Sequence, residues 1–176
     1  TGAGSGIGLA TTEAFVAAGM RVLMTDRDDA ALAEHVTRLR EGGAEVHSLV
    51  VDVTDPDAME RAADTAVEHF GSLHVCHNNA GVVAGGNSWE LPLSEWHRVI
   101  DVDLWGVIHG LRAFVPRMLA GGDEGHIVNT ASMAGLITGG LGTAVYDSSK
   151  HAVLALSESL YRDLVVRQTK VSASVL

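Results

Sequence analysis

The sequence has few of the residues on which several common kinds of site depend. Cys76 is the single cysteine among 176 residues, so no disulfide can form within the chain, and in an apolar run it is most simply a small core residue. The nine histidines form no HExxH pattern and no set with metal-ligand spacing, so we predict no bound metal. The net charge of −10 argues against a nucleic-acid partner, because contacts with phosphates need clustered Lys and Arg.

Long apolar segments are also absent. There is no run of 18 apolar residues, and the first residues do not show a basic segment followed by an apolar one, so we predict neither a membrane span nor a signal peptide. The lone cysteine fits a reducing compartment, and we therefore expect a cytoplasmic protein without a membrane partner. The chain is 47% apolar and 19% charged, a composition and length that predict one globular domain over residues 1–176.

Apolar runs typical of buried strands alternate with helical patterns along the whole chain. The predicted strands are 21–26, 45–52, 73–78, 125–130 and 171–176. The predicted helices are 9–19, 29–40, 56–70 (with Asp55 as its N-cap), 94–119 (with Ser94 as its N-cap) and 143–166. This alternation predicts an α/β fold: a doubly wound parallel sheet of the Rossmann type, with helices on both faces.

A glycine-rich loop, Thr1-Gly2-Ala3-Gly4-Ser5-Gly6-Ile7-Gly8, opens the chain directly before a predicted helix. Small residues allow the backbone to approach a pyrophosphate, and the start of a helix offers N–H groups and a positive dipole end. Asp26 ends the next strand, where a carboxylate can accept both hydroxyls of an adenosine ribose and repel a 2′-phosphate. The loop and Asp26 predict a dinucleotide, with NAD preferred over NADP although Arg27 softens the repulsion; Asp26 as a plain turn residue is the alternative.

Tyr146 and Lys150 stand four residues apart in a predicted helix, so both side chains lie on one helical face. An ammonium about 4 Å from a phenol stabilises the phenolate by roughly 4 kcal/mol at an effective dielectric constant near 20. Such a phenol can serve as a general acid and base near neutral pH. The chain has only two tyrosines and two lysines, which makes a chance pairing less common, but a solvated helix face is the other interpretation.

Taken together, these motifs resemble those of the short-chain dehydrogenases and reductases over essentially the whole chain. The opening loop fits the TGxxxGxG pattern of that family, and Tyr146 and Lys150 fill its YxxxK pattern. Ser132 falls where the family has its catalytic serine. Two further stretches match as well: Asp52-Val53, which resembles the family's adenine-contacting pair, and Asn78-Asn79-Ala80-Gly81, which matches its NNAG segment.

The resemblance implies one dinucleotide-binding domain with its own catalytic site, which transfers a hydride between a nicotinamide cofactor and an alcohol or ketone. Tyr146 would exchange the proton, Lys150 would support Tyr146 and hold the nicotinamide ribose, and Ser132 would hydrogen-bond the substrate oxygen. The implied cofactor-binding residues are Gly2, Ser5, Gly6, Ile7, Gly8, Asp26, Arg27, Asp52, Val53, Asn79, Ala80, Gly81, Tyr146 and Lys150.

The chain departs from the family pattern at Asp103, where the family usually has an asparagine that supports a water-mediated proton relay to the lysine. An ionised carboxylate cannot donate a hydrogen bond, and it adds a negative charge near Lys150. We expect Asp103 to take part in catalysis as a relay residue, with a structural role at a helix irregularity as the alternative.

The ends of the chain depart from the family pattern too. The family has a central strand before the glycine loop and a substrate-covering segment after the last strand predicted here. We therefore expect an internal piece, truncated at both ends, which folds poorly or is inactive alone because the strands beside the central position would keep unpaired backbone groups.

The substrate class and the oligomeric state are inferred only from where residues fall in the family pattern. The residues near the expected pocket are mainly apolar, which predicts an apolar alcohol or ketone; they are Val82, Val83, Met133, Ala134 and Leu141. Family members commonly pair through their two long helices, so we expect a homodimer or homotetramer of the full-length protein. Two other functions remain open: an NAD-binding regulatory or scaffold protein without turnover, and an epimerase or dehydratase that keeps its cofactor throughout.

Overall fold

The computed structural model describes residues 1–176 and alternates helices with strands. The strands are β1 (Val22–Asp26), β2 (Val46–Val50), β3 (Val75–Asn78), β4 (Gly125–Asn129) and β5 (Val171–Val175). The helices are α1 (Gly6–Ala17), α2 (Asp29–Glu41), α3 (Pro56–Phe70), α4 (Leu93–Ile100), α5 (Gly106–Gly121) and α6 (Ala144–Val166). None of these helices is long and apolar enough to cross a bilayer. The predicted α/β fold is confirmed.

The strands form two parallel sheets on either side of a gap. β1 pairs with β2, while β3, β4 and β5 pair in that order, so the chain winds outwards in both directions from the gap. A cavity of about 430 Å³ lies between β1 and β3, with Val22, Leu23, Val75 and Cys76 among its lining residues. In a doubly wound fold, the point where the winding reverses is where ligands bind, at the carboxyl ends of the strands.

The largest core cluster includes residues of the second sheet, α3 and α5. Five residues of α3 are buried along one stripe: Ala58, Met59, Ala62, Ala63 and Ala66. Four of them are alanines, which allow α3 to approach its neighbours closely. The predicted start of α3 is confirmed, because the Asp55 side chain accepts a hydrogen bond from the Asp57 N–H and Pro56 is the first helical residue.

The prediction of a single helix over residues 94–119 is wrong about where the helix starts and about its being continuous. The helix begins at Leu93 after Pro92, so Ser94 lies in the first turn and does not cap it. A π-helical segment, Asp101–Trp105, then separates α4 from α5, and the Gly106 N–H bonds to the Asp101 carbonyl. A π-helical turn accommodates an extra residue and is frequent at functional sites. The apolar pattern stays helical through this segment and therefore did not predict it.

Three buried polar side chains fix α6 to the second sheet. Asn78 Nδ2 donates to Asn129 Oδ1 at 2.9 Å, and Asn129 Nδ2 donates to Ser157 Oγ at 2.9 Å. Ser157 in turn donates to the Val153 carbonyl one turn earlier, at 2.7 Å. Buried polar groups with all their partners specify one arrangement of the elements that they join. This series of hydrogen bonds therefore sets the position of α6, which carries Tyr146 and Lys150, relative to β3 and β4.

We expect Gly110→Ala to lower the free energy of unfolding by about 1–3 kcal/mol. A Cβ at position 110 would lie 2.1 Å from Asn78 Oδ1, and Asn78 cannot move without losing its bond to Asn129. Gly121→Ala in the same helix is the matched control, because a Cβ there meets nothing within 4 Å. Urea denaturation of the full-length gene product measures both, and equal stabilities for the two variants would contradict this account.

Candidate active site

A cleft of about 610 Å³ lies where the glycine loop meets the carboxyl ends of β1, β3 and β4. Its lining contains all the site residues predicted from the sequence except Gly8: Gly2, Ser5, Gly6, Ile7, Asp26, Arg27, Asp52, Val53, Asn79, Ala80, Gly81, Asp103, Ser132, Tyr146 and Lys150. These residues are spread over the whole chain, and the fold brings them to one concave surface.

Gly8 lies behind the cleft and shapes it indirectly. A Cβ at this position would be 2.1 Å from the carbonyl oxygen of Gly2, so only glycine permits α1 to begin so close to the loop. Gly2 itself has a φ of +65°, and a Cβ there would be 2.9 Å from the Cα of Ala80. The tight curve of the loop therefore depends on both glycines, and it leaves the start of α1 facing the cleft.

The glycine loop is held against the end of β3 by Asn79. The Asn79 side chain donates to the Thr1 carbonyl at 3.0 Å, and the backbone N–H groups of Asn79 and Ala80 donate to Thr1 Oγ1 at 2.9 and 3.0 Å. Thr1 was part of the loop motif but was not predicted as a site residue. A threonine at the start of a glycine loop was the available signal, since its hydroxyl can accept bonds that a glycine cannot.

Asp26 is placed between the glycine loop and α2. Its Oδ2 accepts a hydrogen bond from the Gly4 N–H at 2.8 Å, and its Oδ1 accepts one from the Asp28 N–H at 3.1 Å. The carboxylate is half-buried at the rim of the cleft, and the neighbouring Arg27 is exposed. Asp26 thus braces the loop and presents a negative charge to the cleft at the same time.

Asp52 and Val53 form the next part of the rim. Asp52 is exposed, and its Oδ1 accepts bonds from the N–H and the hydroxyl of Thr54 at 2.9 and 2.8 Å. Val53 is buried, and a Cβ on Gly106 would come within 2.7 Å of its side chain. This packing fixes a small apolar wall in the cleft, beside a carboxylate that is turned to solvent.

Tyr146 and Lys150 project from one face of α6 into the cleft, as predicted. The Lys150 ammonium lies 5.5 Å from the centroid of the Tyr146 ring and donates to the Thr130 carbonyl at 3.1 Å. The Lys150 side chain is only 4% exposed, so its charge is little screened by water. Thr130 was missed by the sequence analysis because its carbonyl, which any residue would supply, makes this contact.

Asp103 is fully buried and faces Lys150. Its Oδ2 lies 3.2 Å from Lys150 Nζ, and its Oδ1 accepts a hydrogen bond from the Val82 N–H at 2.8 Å. Burial raises the pKa of Asp103 above its ordinary value, and the Lys150 charge opposes this increase. The position of Asp103 agrees with both roles considered from the sequence. It lies at a helix irregularity, the π-helical segment, and it also contacts the Lys150 ammonium.

Ser132 lines the same cleft shortly after the end of β4. Its Oγ accepts a hydrogen bond from the Ala134 N–H at 3.1 Å. The segment from Ser132 to Tyr146 is held by Asp147, whose Oδ2 accepts bonds from the Gly139 N–H at 3.0 Å and the Thr143 hydroxyl at 2.8 Å. Asp147 was not predicted; an acidic residue in the first turn of a helix after a glycine-rich loop is a signal for this bracing role.

Only two of the five apolar residues predicted for the pocket line the cleft in the structure. Val82 and Val83 line the cleft. Met133 is exposed and lies outside that lining, and Leu141 borders a separate cavity of about 590 Å³. Ala134 is not part of either lining. The apolar wall beside Tyr146 is thus smaller than predicted.

Comparison with known proteins agrees with this geometry. Residues 1–175 match the profile of the family described as short chain dehydrogenase. The chain belongs to the short-chain dehydrogenase family. The family resemblance expected from the motifs is confirmed over the length of the chain.

Named relatives and solved structures give the same family. A 1-deoxy-11-beta-hydroxypentalenate dehydrogenase of Streptomyces avermitilis is 47% identical over 174 residues, which are 98% of this chain and 64% of that protein. A short-chain dehydrogenase/reductase of Burkholderia phymatum, solved in complex with NAD, is 44% identical with a TM-score of 0.97, over 99% of this chain and 62% of that one. An alcohol dehydrogenase of Thermococcus sibiricus, complexed with 5-hydroxy-NADP, is 27% identical with a TM-score of 0.90, over 99% of this chain and 72% of that one.

We expect Lys150→Met to lower the free energy of unfolding by about 3–5 kcal/mol, because it leaves the buried Asp103 carboxylate without its counter-charge. Asp103→Asn in the same background should recover much of this loss, which a double-mutant cycle by urea denaturation measures.

Arg162→Met is the matched control for the cycle, since Arg162 pairs with Glu158 on the exposed side of the same helix and should cost less than about 1 kcal/mol. Equal losses in Lys150→Met and Arg162→Met, with no recovery by Asp103→Asn, would show that the buried contact is not an ion pair.

Proposed function

We propose that this protein is an oxidoreductase that transfers a hydride between NAD and an alcohol or ketone, with Tyr146 as the acid and base. One observation carries the proposal: Tyr146, Lys150 and Ser132 line the same cleft as the glycine loop and Asp26. The chain spans 64% of the length of the Streptomyces avermitilis relative and 62% of the Burkholderia phymatum structure. Activity, substrate and assembly of the whole protein are therefore part of the proposal.

The residues of the cleft fit a nicotinamide dinucleotide. The glycine loop can curve tightly because a Cβ at Gly2 or Gly8, which would clash with Ala80 or with the Gly2 carbonyl, is absent, and the start of α1 beside the loop suits a pyrophosphate. Asp26 would accept the adenosine ribose hydroxyls, Asp52 and Val53 would contact the adenine, and the segment after β3 would support the nicotinamide end. When bound, the nicotinamide supplies the hydride chemistry.

The chain's own side chains then handle the proton and the substrate oxygen. The Tyr146 hydroxyl would take the proton from an alcohol or give it to a ketone. Ser132, whose Oγ accepts from Ala134, retains its hydroxyl hydrogen for donation to the substrate oxygen, where negative charge develops. The Lys150 ammonium stabilises the phenolate and has a hydrogen left for the ribose beyond its contacts with Thr130 and Asp103.

The substrate class proposed is a largely apolar alcohol or ketone. Val82 and Val83 line the cleft, and Val83 is exposed to it. Met133, Leu136 and Ile137 form an exposed apolar segment shortly after Ser132, outside the lining of the cleft. The Streptomyces avermitilis relative is named for a hydroxylated compound, which agrees with oxidation at a CH–OH group. A homodimer or homotetramer and a cytoplasmic location stay predictions.

We expect Tyr146→Phe to lower kcat by about 10²–10⁴-fold, since general acid–base catalysis contributes a factor of this size. The affinity for NAD should stay within about threefold of the original, because the phenyl ring still lines the cleft. Turnover is followed by the absorbance of NADH in the full-length gene product, with a panel of secondary alcohols.

Tyr161→Phe is the control, because Tyr161 is the chain's other tyrosine and lies half-exposed on the same helix. Undiminished turnover in Tyr146→Phe would remove Tyr146 from the mechanism. NAD binding without any turnover in the unmodified protein would favour the regulatory function.

We expect Asp26→Asn to lower the preference for NAD over NADP by about tenfold or more, because it removes the charge that repels a 2′-phosphate. Binding of NADH and NADPH is measured by their fluorescence. Asp29→Asn is the matched control, since Asp29 is exposed in the first turn of α2 and does not line the cleft. An unchanged preference in Asp26→Asn would assign selectivity to other residues.

A further inference from the structure

Only one of the two carboxylate oxygens of Asp103 accepts a hydrogen bond. Oδ1 is fixed by the Val82 N–H at 2.8 Å. No hydrogen-bond donor other than Lys150 approaches Oδ2, which is fully buried and lies 3.2 Å from Nζ. The contact at Oδ2 is thus an attraction between opposite charges and does not depend on a well-directed hydrogen bond.

An amide would not fit this arrangement as well as the carboxylate does. If the amide of an Asp103→Asn variant kept its oxygen on the Val82 N–H, its NH₂ group would face the Lys150 ammonium, and two donors would oppose each other. The pair lies directly behind the backbone of Gly81, since a Cβ there would be in ordinary van der Waals contact with Lys150 Nζ at 3.5 Å and with Asp103 Oδ1 at 3.6 Å. The surroundings are therefore suited to an acceptor at Oδ2.

The charges around the pair are few. Tyr146 faces the same cleft from α6, and Arg98 of α4 is the other cation that acts on Asp103. Arg98 itself is held by Glu95 at 2.7 Å and by the Val83 carbonyl at 2.9 Å, so much of its charge is already compensated. The nearest histidine of α5 along the chain, His109, donates to the Val53 carbonyl. Lys150 is hence the cation on which Asp103 acts most strongly.

We propose that Asp103 is a positioning residue that holds the Lys150 ammonium and partly cancels its charge, so that the site changes from proton donor to proton acceptor at a higher pH than it would with an asparagine. This inference rests on the proposed function. A cation alone beside Tyr146 favours the phenolate, whereas a neutral ion pair favours it less. A site that remains a proton donor up to a higher pH suits proton donation to a ketone.

The test is the pH dependence of alcohol oxidation in Asp103→Asn, measured as kcat/KM in the full-length gene product. We expect the acidic midpoint of the profile to fall by about one to two pH units, as removal of one unit charge several ångströms away predicts at an effective dielectric constant near 20. Asp101→Asn makes the same chemical change two residues earlier in the same π-helical segment, and it should leave the midpoint in place.

A second measurement does not need turnover. Titration of the phenolate absorbance, taken as the difference between each protein and its Tyr146→Phe counterpart in a Tyr161→Phe background, reports Tyr146 alone. We expect Asp103→Asn to move this titration to lower pH as well. Midpoints that stay the same in both measurements, or that rise, would overturn the inference. If the protein shows no turnover, the proposed function fails, and the phenolate titration still decides the role of Asp103.

Discussion

The contact between the Lys150 ammonium and the Asp103 carboxylate joins four separate parts of the chain. Lys150 comes from α6 and also reaches the Thr130 carbonyl after β4, while Asp103 comes from the π-helical segment and also holds the Val82 N–H after β3. Both side chains are buried, so neither charge is stable there without the other. The cleft keeps its shape because this pair fixes the elements around it.

The half of the cleft that contains the glycine loop and the half that contains Tyr146 and Lys150 are linked through the ends of β3 and β4. Asn78 connects β3 to Asn129 of β4, and the next residue, Asn79, holds the glycine loop. Neighbouring residues of one short segment therefore support α6 on one side and the loop on the other. A shift of the strand ends would therefore disturb both halves together.

Motifs with strong local chemistry could be predicted from the sequence, and features made by the backbone could not. The glycine loop, Asp26, Ser132, Tyr146 and Lys150 carry distinctive side chains at distinctive spacings, and the fold gathers them in one cleft. Thr130 contacts Lys150 through its carbonyl oxygen, which no residue type encodes. The π-helical segment keeps the helical pattern of apolar residues, so this pattern did not predict the break between α4 and α5, and only the departure from the family pattern at Asp103 pointed to a helix irregularity there. Gly8 has a packing role that depends on how the loop curves back to Gly2.

The π-helical segment also bears on how α5 is oriented. A widened turn takes up one extra residue locally, so the helix after it keeps the orientation that an unbroken α-helix would give it. Gly106 and Gly110 therefore still face Val53 and Asn78, the two side chains against which only glycine fits. The widening is instead concentrated where Asp103 meets Lys150, so a change of length within Asp101–Trp105 would displace this carboxylate before it disturbed the packing of α5.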